Sequence, residues 1–331
     1  MTNAIRFHRT GGPEVLQWEE VEVGEPTEGQ VRLRHEAVGL NYIDTYHRSG
    51  MYPVNLPSGI GLEAAGVVEA VGPGVGDLAV GDLAVGDRVA YAGGPLGAYS
   101  QARLMPADRL VRLPDALSFE QGAAMMLQGL TAQYLLRRTY PVKAGDTILI
   151  HAAAGGVGLI VCQWAKALGA TVIGTVGSDE KAALARAHGC DHPIVYTREN
   201  FAERVAEITS GAGVAVVYDS IGKDTFMSSL DCLRPLGMMV LFGAASGAVP
   251  PVDLQVLAQK GSLFVTRPTL FTYAARRADL VEMAADLFAV VQAGQVRIEV
   301  NQRYPLREAA QAHRDLEARR TTGSTILLPT E

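Results

Sequence analysis

At about 150 residues per domain, a chain of 331 residues has room for two domains. Aliphatic and aromatic residues make up 48% and charged residues 19%, which excludes global disorder and allows a large core. With 29 Lys and Arg against 35 Asp and Glu, the net charge is −6, and no long basic run suggests general nucleic-acid binding.

Residues 1–10 contain Arg6, His8 and Arg9 and no apolar stretch, so no secretion signal is expected. To about residue 115, short β-rich runs (31–35, 66–71, 87–91) alternate with Gly-Pro and Gly-Asp turns, predicting a small, curled β domain. Gly76-Asp-Leu-Ala-Val is followed directly by Gly81-Asp-Leu-Ala-Val, and Gly86-Asp starts a third copy. A five-residue period fits no solenoid and reads as a duplication that lengthens a hairpin loop. Ser118-Phe-Glu-Gln121 has the spacing of a reciprocal helix cap, with an Ala/Met/Leu-rich helix after it.

From residue 147 the texture becomes α/β. Strands are expected at 147–151, 171–176, 193–196, 214–219, 238–242 and 263–266, with helices at 156–168, 179–188 and 201–209. Six strands joined by helical crossovers predict a doubly wound parallel sheet covered on both faces. The uncharged window 148–165 is long enough for a membrane span, but Gly155, Gly156 and Gly158 break it into strand, turn and helix. A helix at about 278–293, a strand, a helix at 306–318 and a strand at 324–328 follow, returning to the β-rich domain. The expected division is 1–125 and 267–331 for that domain and 126–266 for the nucleotide-binding domain.

Ala153-x-Gly155-x-x-Gly158 lies where an apolar strand turns into a helix. Small residues there let the backbone approach a pyrophosphate, and the helix N-terminus offers free N–H donors. The alternative is a merely tight turn; the succeeding β/α units favour a dinucleotide site. An NAD site usually carries a carboxylate about 20 residues further on. Here Gly174-Thr-Val-Gly-Ser178 offers none at the strand end, whereas Lys181 stands one turn into the next helix, within reach of a 2′-phosphate. The pair of features points to NADPH.

Gly145-Asp-x-x-Leu149, Ala153-Ala-Gly-Gly-x-Gly158, Gln163 and Lys166 resemble the signature of the quinone oxidoreductase and zeta-crystallin family, the zinc-free branch of the medium-chain dehydrogenases/reductases. Asn41-Tyr-Ile-Asp-Thr-Tyr46, Leu56-Pro-Ser-Gly, Glu63-Ala-Ala-Gly66, Gly129-Leu-Thr-Ala132 and Val265-Thr-Arg-Pro268 agree. The resemblance covers nearly the whole chain and is strongest to bacterial NADPH:quinone reductases. It implies a GroES-like β-rich catalytic domain, a Rossmann domain and a cleft between them. In that cleft Asn41 and Tyr46 would face the nicotinamide, with Thr131 and Tyr134 at its entrance. Gly155, Gly156 and Val157 would hold the pyrophosphate, and Gly177, Ser178, Lys181 and Tyr196 the adenosine 2′-phosphate. Ser220 and Phe242, Gly243, Ala244 and Ala245 would lie along the dinucleotide, and Phe264, Val265, Thr266, Arg267 and Arg319 would close the far side. The family forms homodimers in which cofactor-domain sheets join, so residues 263–266 are expected to pair across a two-fold axis.

Zinc-dependent relatives hold their ion through an early Cys and a Gly-His-Glu motif about 20 residues later. Asn41 and Leu62 stand at those places here, and neither is a zinc ligand. The seven histidines are read as no replacement, and His151 beside the glycine turn as structural. Without a Lewis acid for simple alcohols, the chemistry left is hydride addition to an acceptor already electrophilic, a quinone or an α,β-unsaturated ketone. Tyr46 and Tyr52 are the candidate hydroxyl donors to its oxygen. The alternatives are a zinc-free reductase of enoyl thioesters or other activated alkenes, and a noncatalytic NADPH-binding protein, crystallin-like or RNA-binding. Three widely spaced cysteines, Cys162, Cys190 and Cys232, fit a reducing, cytoplasmic setting better than a disulfide framework.

NADPH is expected to bind more tightly than NADH by roughly 10–150-fold, the worth of one charge-assisted contact of about 1.5–3 kcal/mol. Titration of both cofactors checks it: Lys181→Ala should weaken NADPH alone, and equal wild-type affinities would remove the assignment.

Overall fold

A computed structural model describes residues 1–77 and 83–330. The chain divides into two compact units, Met1–Leu130 with Tyr273–Gln292 and Ile298–Glu331, and Thr131–Thr272 with Ala293–Arg297.

The spine of the first unit is the strand Gln30–Leu40. It pairs antiparallel with Glu63–Val71, with Ala102–Pro106 and with the C-terminal strand Ser324–Leu328, so the tail of the chain closes the sheet begun at its start. Leu40 lies opposite Thr325 and Val38 opposite Ala64, which holds the end of the spine on both sides. Val31, Leu33, Val38, Ile60, Val68, Tyr91 and Tyr99 fill the core. A helix absent from the sequence reading, Tyr42–Ser49, follows the spine and ends at Gly50, whose φ of 85° suits a residue without Cβ. The expected cap is present: the Gln121 N–H donates to Ser118 Oγ over 3.1 Å and the Ser118 N–H to Gln121 Oε1 over 3.0 Å. The helix they start, Phe119–Tyr134, runs into a π turn, Leu135–Thr139, which nothing in the residue pattern signals. The single helix expected at 306–318 begins as a 3-10 turn, Leu306–Glu308, before Ala309–Glu317.

The second unit is a six-stranded parallel sheet in the spatial order His192–Val195, Thr171–Val176, Thr147–Ile150, Val214–Asp219, Leu233–Leu241, Phe264–Thr266. Numbered along the chain this is 3-2-1-4-5-6, the doubly wound dinucleotide-binding order, with its switch point between Thr147–Ile150 and Val214–Asp219. All six residues of Val214–Asp219 are buried, as a central strand covered on both faces requires. The fifth strand starts at Leu233, earlier than the expected 238, and shifts register against Val214–Asp219. The apolar window resolves into the strand Thr147–Ile150 and the helix Gly156–Ala167. No helix among the described residues is long and apolar enough to cross a membrane.

The duplicated segment falls partly on 78–82, outside the described residues. Of its second copy, Leu83 is buried in the core of the first unit, and Asp87 Oδ2 accepts the Ala84 N–H over 2.9 Å. That copy is therefore more than loop length. Removing either copy leaves one chain, in which a Leu still stands four residues before Asp87. One-copy deletion should leave the melting temperature nearly unchanged, since halving a loop alters closure by about 0.6 kcal/mol. Leu83→Ala should cost about 2–5 kcal/mol. Thermal denaturation of both variants checks the contrast.

Candidate active site

In the second unit, the turn after Thr147–Ile150 is held by its own backbone and by a buried polar cluster. The Ala153 N–H donates to Thr175 O and the Gly155 N–H to Ala152 O. Gly155 caps the helix Gly156–Ala167, whose first-turn N–H groups have no intrahelical partner. A Cβ on Gly158 would lie 2.2 Å from Ala152 O, a backbone atom with nowhere to move, so helix and strand touch only because this residue has no side chain. His151 is structural, as read: Nδ1 lies 2.9 Å from Thr175 Oγ1 and Nε2 2.9 Å from Ser229 Oγ, and burial lowers its pKa.

The other candidate cofactor residues form a row at the carboxyl ends of the same strands. Gly177, Ser178 and Lys181 follow Thr171–Val176, and Tyr196 follows His192–Val195. Ser178 caps the helix Asp179–Ala187 by accepting the Lys181 N–H over 3.3 Å, and its hydroxyl donates to the Glu180 carboxylate, which holds that carboxyl below its usual range. Asp179 is engaged by Arg198 in two bonds of 2.6 and 2.7 Å, which adds a guanidinium the sequence reading did not include. Ser220 follows Val214–Asp219, and Phe242, Gly243, Ala244 and Ala245 follow Leu233–Leu241. They are tied together by the Ala245 N–H on Ser220 O and the Phe242 N–H on Asp219 O. Asp219 itself was missed. Fully buried, it accepts the Ile221 and Gly222 N–H groups and the Thr225 hydroxyl, and so shapes the turn that carries Ser220. A carboxylate ending an otherwise apolar strand was its signal. Phe264, Val265 and Thr266 form the last strand, where the strand 263–266 was expected. Among the described residues that strand pairs on one side only, with Phe264 56% and Val265 41% exposed. Thr131 and Tyr134 are both buried and one turn apart on Phe119–Tyr134, and Arg267 follows the last strand.

In the first unit, Asn41 joins the spine strand to the helix Tyr42–Ser49 and is gripped from three directions. Its Nδ2 donates to Glu63 Oε2 over 2.6 Å, its Oδ1 accepts from Gln128 Nε2 over 3.3 Å, and its backbone N–H donates to Asp44 Oδ2 over 3.0 Å. Glu63 Oε1 accepts the Leu127 N–H over 2.7 Å, and Gln128 Oε1 accepts the Ser324 hydroxyl over 2.7 Å. Gly39 makes the arrangement possible, because a Cβ there would stand 2.2 Å from Glu63 Oε2 and 2.4 Å from Ala123 O. Burial pushes the Glu63 carboxyl up to about 8 and the Asp44 carboxyl up to about 7. Tyr46 stacks edge-on against Tyr52, centroids 5.1 Å apart, and against Tyr42 at 5.6 Å. Arg319, with φ 59°, lies close enough to Tyr42 to act on its hydroxyl electrostatically.

Residues 27–115 match the family model described as alcohol dehydrogenase GroES-like domain, and residues 156–288 match the one described as zinc-binding dehydrogenase. The chain is 58% identical to a quinone oxidoreductase of Pseudomonas aeruginosa over 99% of its own length and 100% of the relative's. It is 52% identical to a 2-haloacrylate reductase of a Burkholderia species over 99% of each chain. The solved Escherichia coli quinone oxidoreductase complexed with NADPH superimposes with a TM-score of 0.96 at 51% identity, over 99% of this chain and 100% of that one. The chain belongs to the quinone oxidoreductase family.

Within that family's wider group, the words zinc-binding meet a different donor set here. Asn41 presents a carboxamide already bonded to Glu63, and Leu62 is a buried alkyl side chain, so neither offers the thiolate or imidazole such a centre needs. One His-x-x-x-His spacing does occur, at His188 and His192. However, His188 Nδ1 is bonded to Leu184 O at its helix end, and the intervening Asp191 is taken by Lys166 and the Val172 N–H. Among the described residues, no group of three or more His, Cys, Asp or Glu side chains is arranged to hold a metal ion.

Glu63 makes a pH prediction. Its folded pKa is raised, so its contribution to stability is complete below about 4.5 and is lost as pH climbs towards about 8. Glu63→Gln offers one oxygen to two donors and should be less stable by about 1–3 kcal/mol at acid pH. That deficit should shrink as pH rises, because only the wild type carries the acid. The buried neutral histidines His35 and His313 act equally in both proteins and cancel. Urea denaturation from pH 5 to 8 checks this, and a pH-independent difference would contradict it.

Proposed function

We propose that the chain catalyses NADPH-dependent reduction of quinones by hydride transfer without a metal. The observation that carries this reading is the full-length likeness to quinone oxidoreductases, one of them solved with NADPH. The row at the carboxyl ends of the parallel strands supports it. The first-turn amides of Gly156 and Val157 would take the pyrophosphate. Lys181, the Ser178 hydroxyl on release from Glu180 and Tyr196 would take the 2′-phosphate beside Gly177. Ser220, Gly243 to Ala245 and Arg267 would follow the rest of the dinucleotide.

When bound, the cofactor supplies a hydride from its nicotinamide C4. The residues of the first unit would orient and exclude water: Asn41, held on three sides, and Tyr46 serve the nicotinamide end, with Tyr46 and Tyr52 donating to the acceptor oxygen. Thr131 and Tyr134 line the approach. A quinone carries its own low-lying acceptor orbital, so alignment is the main demand, and positioning is what a pinned Asn41 provides. The likeness to a 2-haloacrylate reductase favours a second reading, reduction of an activated alkene, by the same hydride step.

The half-exposed, one-sided edge strand Phe264–Thr266 supports a homodimer joined sheet to sheet. Three buried free cysteines suit a cytoplasmic setting.

With NADPH, small quinones and enones should turn over while ethanol and saturated ketones are left nearly untouched. Asn41→Leu or Tyr46→Phe should lower kcat more than it weakens NADPH binding. An acceptor panel followed at 340 nm, with cofactor affinity measured separately, checks both. Robust alcohol oxidation without quinone or enone reduction would overturn the reading.

A further inference from the structure

A chain of buried side chains in the first unit lies outside the proposed cofactor contacts. Asp44 Oδ2, which holds the Asn41 N–H, also accepts the Tyr99 hydroxyl over 2.9 Å. Tyr99 Oη is 3.1 Å from His313 Nε2, and His313 Nδ1 is 3.0 Å from Arg48 Nη1. Arg48 ends the chain on Glu317 in two bonds of 3.0 and 2.6 Å and on Gly11 O. Asp44, Tyr99, His313 and Arg48 are all buried.

The direction of these bonds follows from elementary chemistry. A guanidinium only donates, so His313 Nδ1 accepts. Burial and Arg48 hold the His313 pKa down to about 3, so the ring is neutral and carries its one proton on Nε2. That proton points at Tyr99 Oη, and the Tyr99 proton is left to point at Asp44. From Arg48 Nη1 through His313 and Tyr99, each donor therefore faces Asp44, the inner end of the chain.

The charged and titratable groups around Asp44 come from four elements. Glu63 comes from the neighbouring strand, Tyr99 from the segment before Ala102–Pro106, and His313 and Glu317 from Ala309–Glu317. Arg48, Tyr42 and His47 share its own helix, with Arg319 beyond Tyr42. Asp44 Oδ1 is buried without a hydrogen-bond partner, so the carboxyl's grip on Asn41 rests on Oδ2, beside the Asp44 backbone N–H that donates to Asn41 O over 3.0 Å. Asn41 thus hangs between two buried carboxyls, by its backbone on Asp44 and by its side chain on Glu63.

We propose that Asp44 is a positioning residue for the reduction: oriented through Tyr99 and His313, it fixes Asn41 and the helix carrying Tyr46. This rests on the roles proposed above for Asn41 and Tyr46. Protonation of Asp44 leaves Oδ2 a weaker acceptor and loosens Asn41, so turnover falls as pH drops through the Asp44 ionisation, which burial raises to about 7.

Two readouts test it in the full-length enzyme. The first is kcat, KM for 1,4-benzoquinone and NADPH affinity from pH 5 to 9. Asp44→Asn should lower kcat roughly tenfold or more and abolish the neutral limb while NADPH affinity holds within about twofold. Tyr99→Phe and His313→Leu should move that limb to higher pH. His313→Gln, which keeps an acceptor for Arg48 and a donor for Tyr99, should stay near wild type. The second readout needs no turnover: the Asn41 amide and Asp44 carboxyl NMR shifts of the cofactor-free protein should titrate together, and Tyr99→Phe should raise their common midpoint. A folded Asp44→Asn protein with wild-type kcat and pH limb, or an Asn41 amide that ignores the Asp44 titration, would overturn the inference. Absence of NADPH oxidation by the wild type would instead remove the proposed function, and the NMR titration would still decide the role of Asp44.

Discussion

A carboxyl with no access to water sits at the junction of three elements. Glu63 opens one strand, and its two oxygens accept from Asn41, at the end of the spine strand, and from the Leu127 N–H within Phe119–Tyr134. A buried carboxyl left unpaired is costly, and one that satisfies two donors fixes both in place. Gly39 is the steric counterpart, since any side chain there would displace Glu63. Asn41 is consequently held by what surrounds it, and with it the start of the helix that carries Tyr46. A hydrogen-bonded carboxamide and two acids organise this place.

The second unit solves its problem by a different means. A parallel sheet in the order 3-2-1-4-5-6 delivers six strand ends to one edge, and each end carries at least one candidate contact. The loops there are short and internally bonded: Asp219 gathers two amides and two hydroxyls, Ser178 caps a helix, and His151 links two neighbouring hydroxyls. A preformed backbone edge of this kind lets anion recognition proceed without ordering a loop at the moment of binding.

Much of this was legible in the residues because it is local. The strand at Val214–Asp219, the cap at Ser118 and Gln121, the glycine turn and the missing carboxylate after the second strand each lie within a few consecutive positions. The helix Tyr42–Ser49 was not read: at eight residues with two Tyr, a His and an Arg its pattern is short, and the Asn41/Asp44 cap at its start and Gly50 at its end were the signals that mark it. The Tyr99–His313 contact spans 214 positions and the Arg48–His313 contact 265, so no spacing rule could pair them. Leu83 was hidden by its own repeat, which made a core residue look like loop.

The most direct test of the central claim uses NADPH deuterated on one or the other face of nicotinamide C4, with an α,β-unsaturated ketone and enzyme freed of metal by chelation. The account predicts that deuterium reaches the β-carbon of the product from one face only, at a rate that chelation does not change. Turnover lost on chelation and restored by zinc, or no transfer of the label, would contradict it.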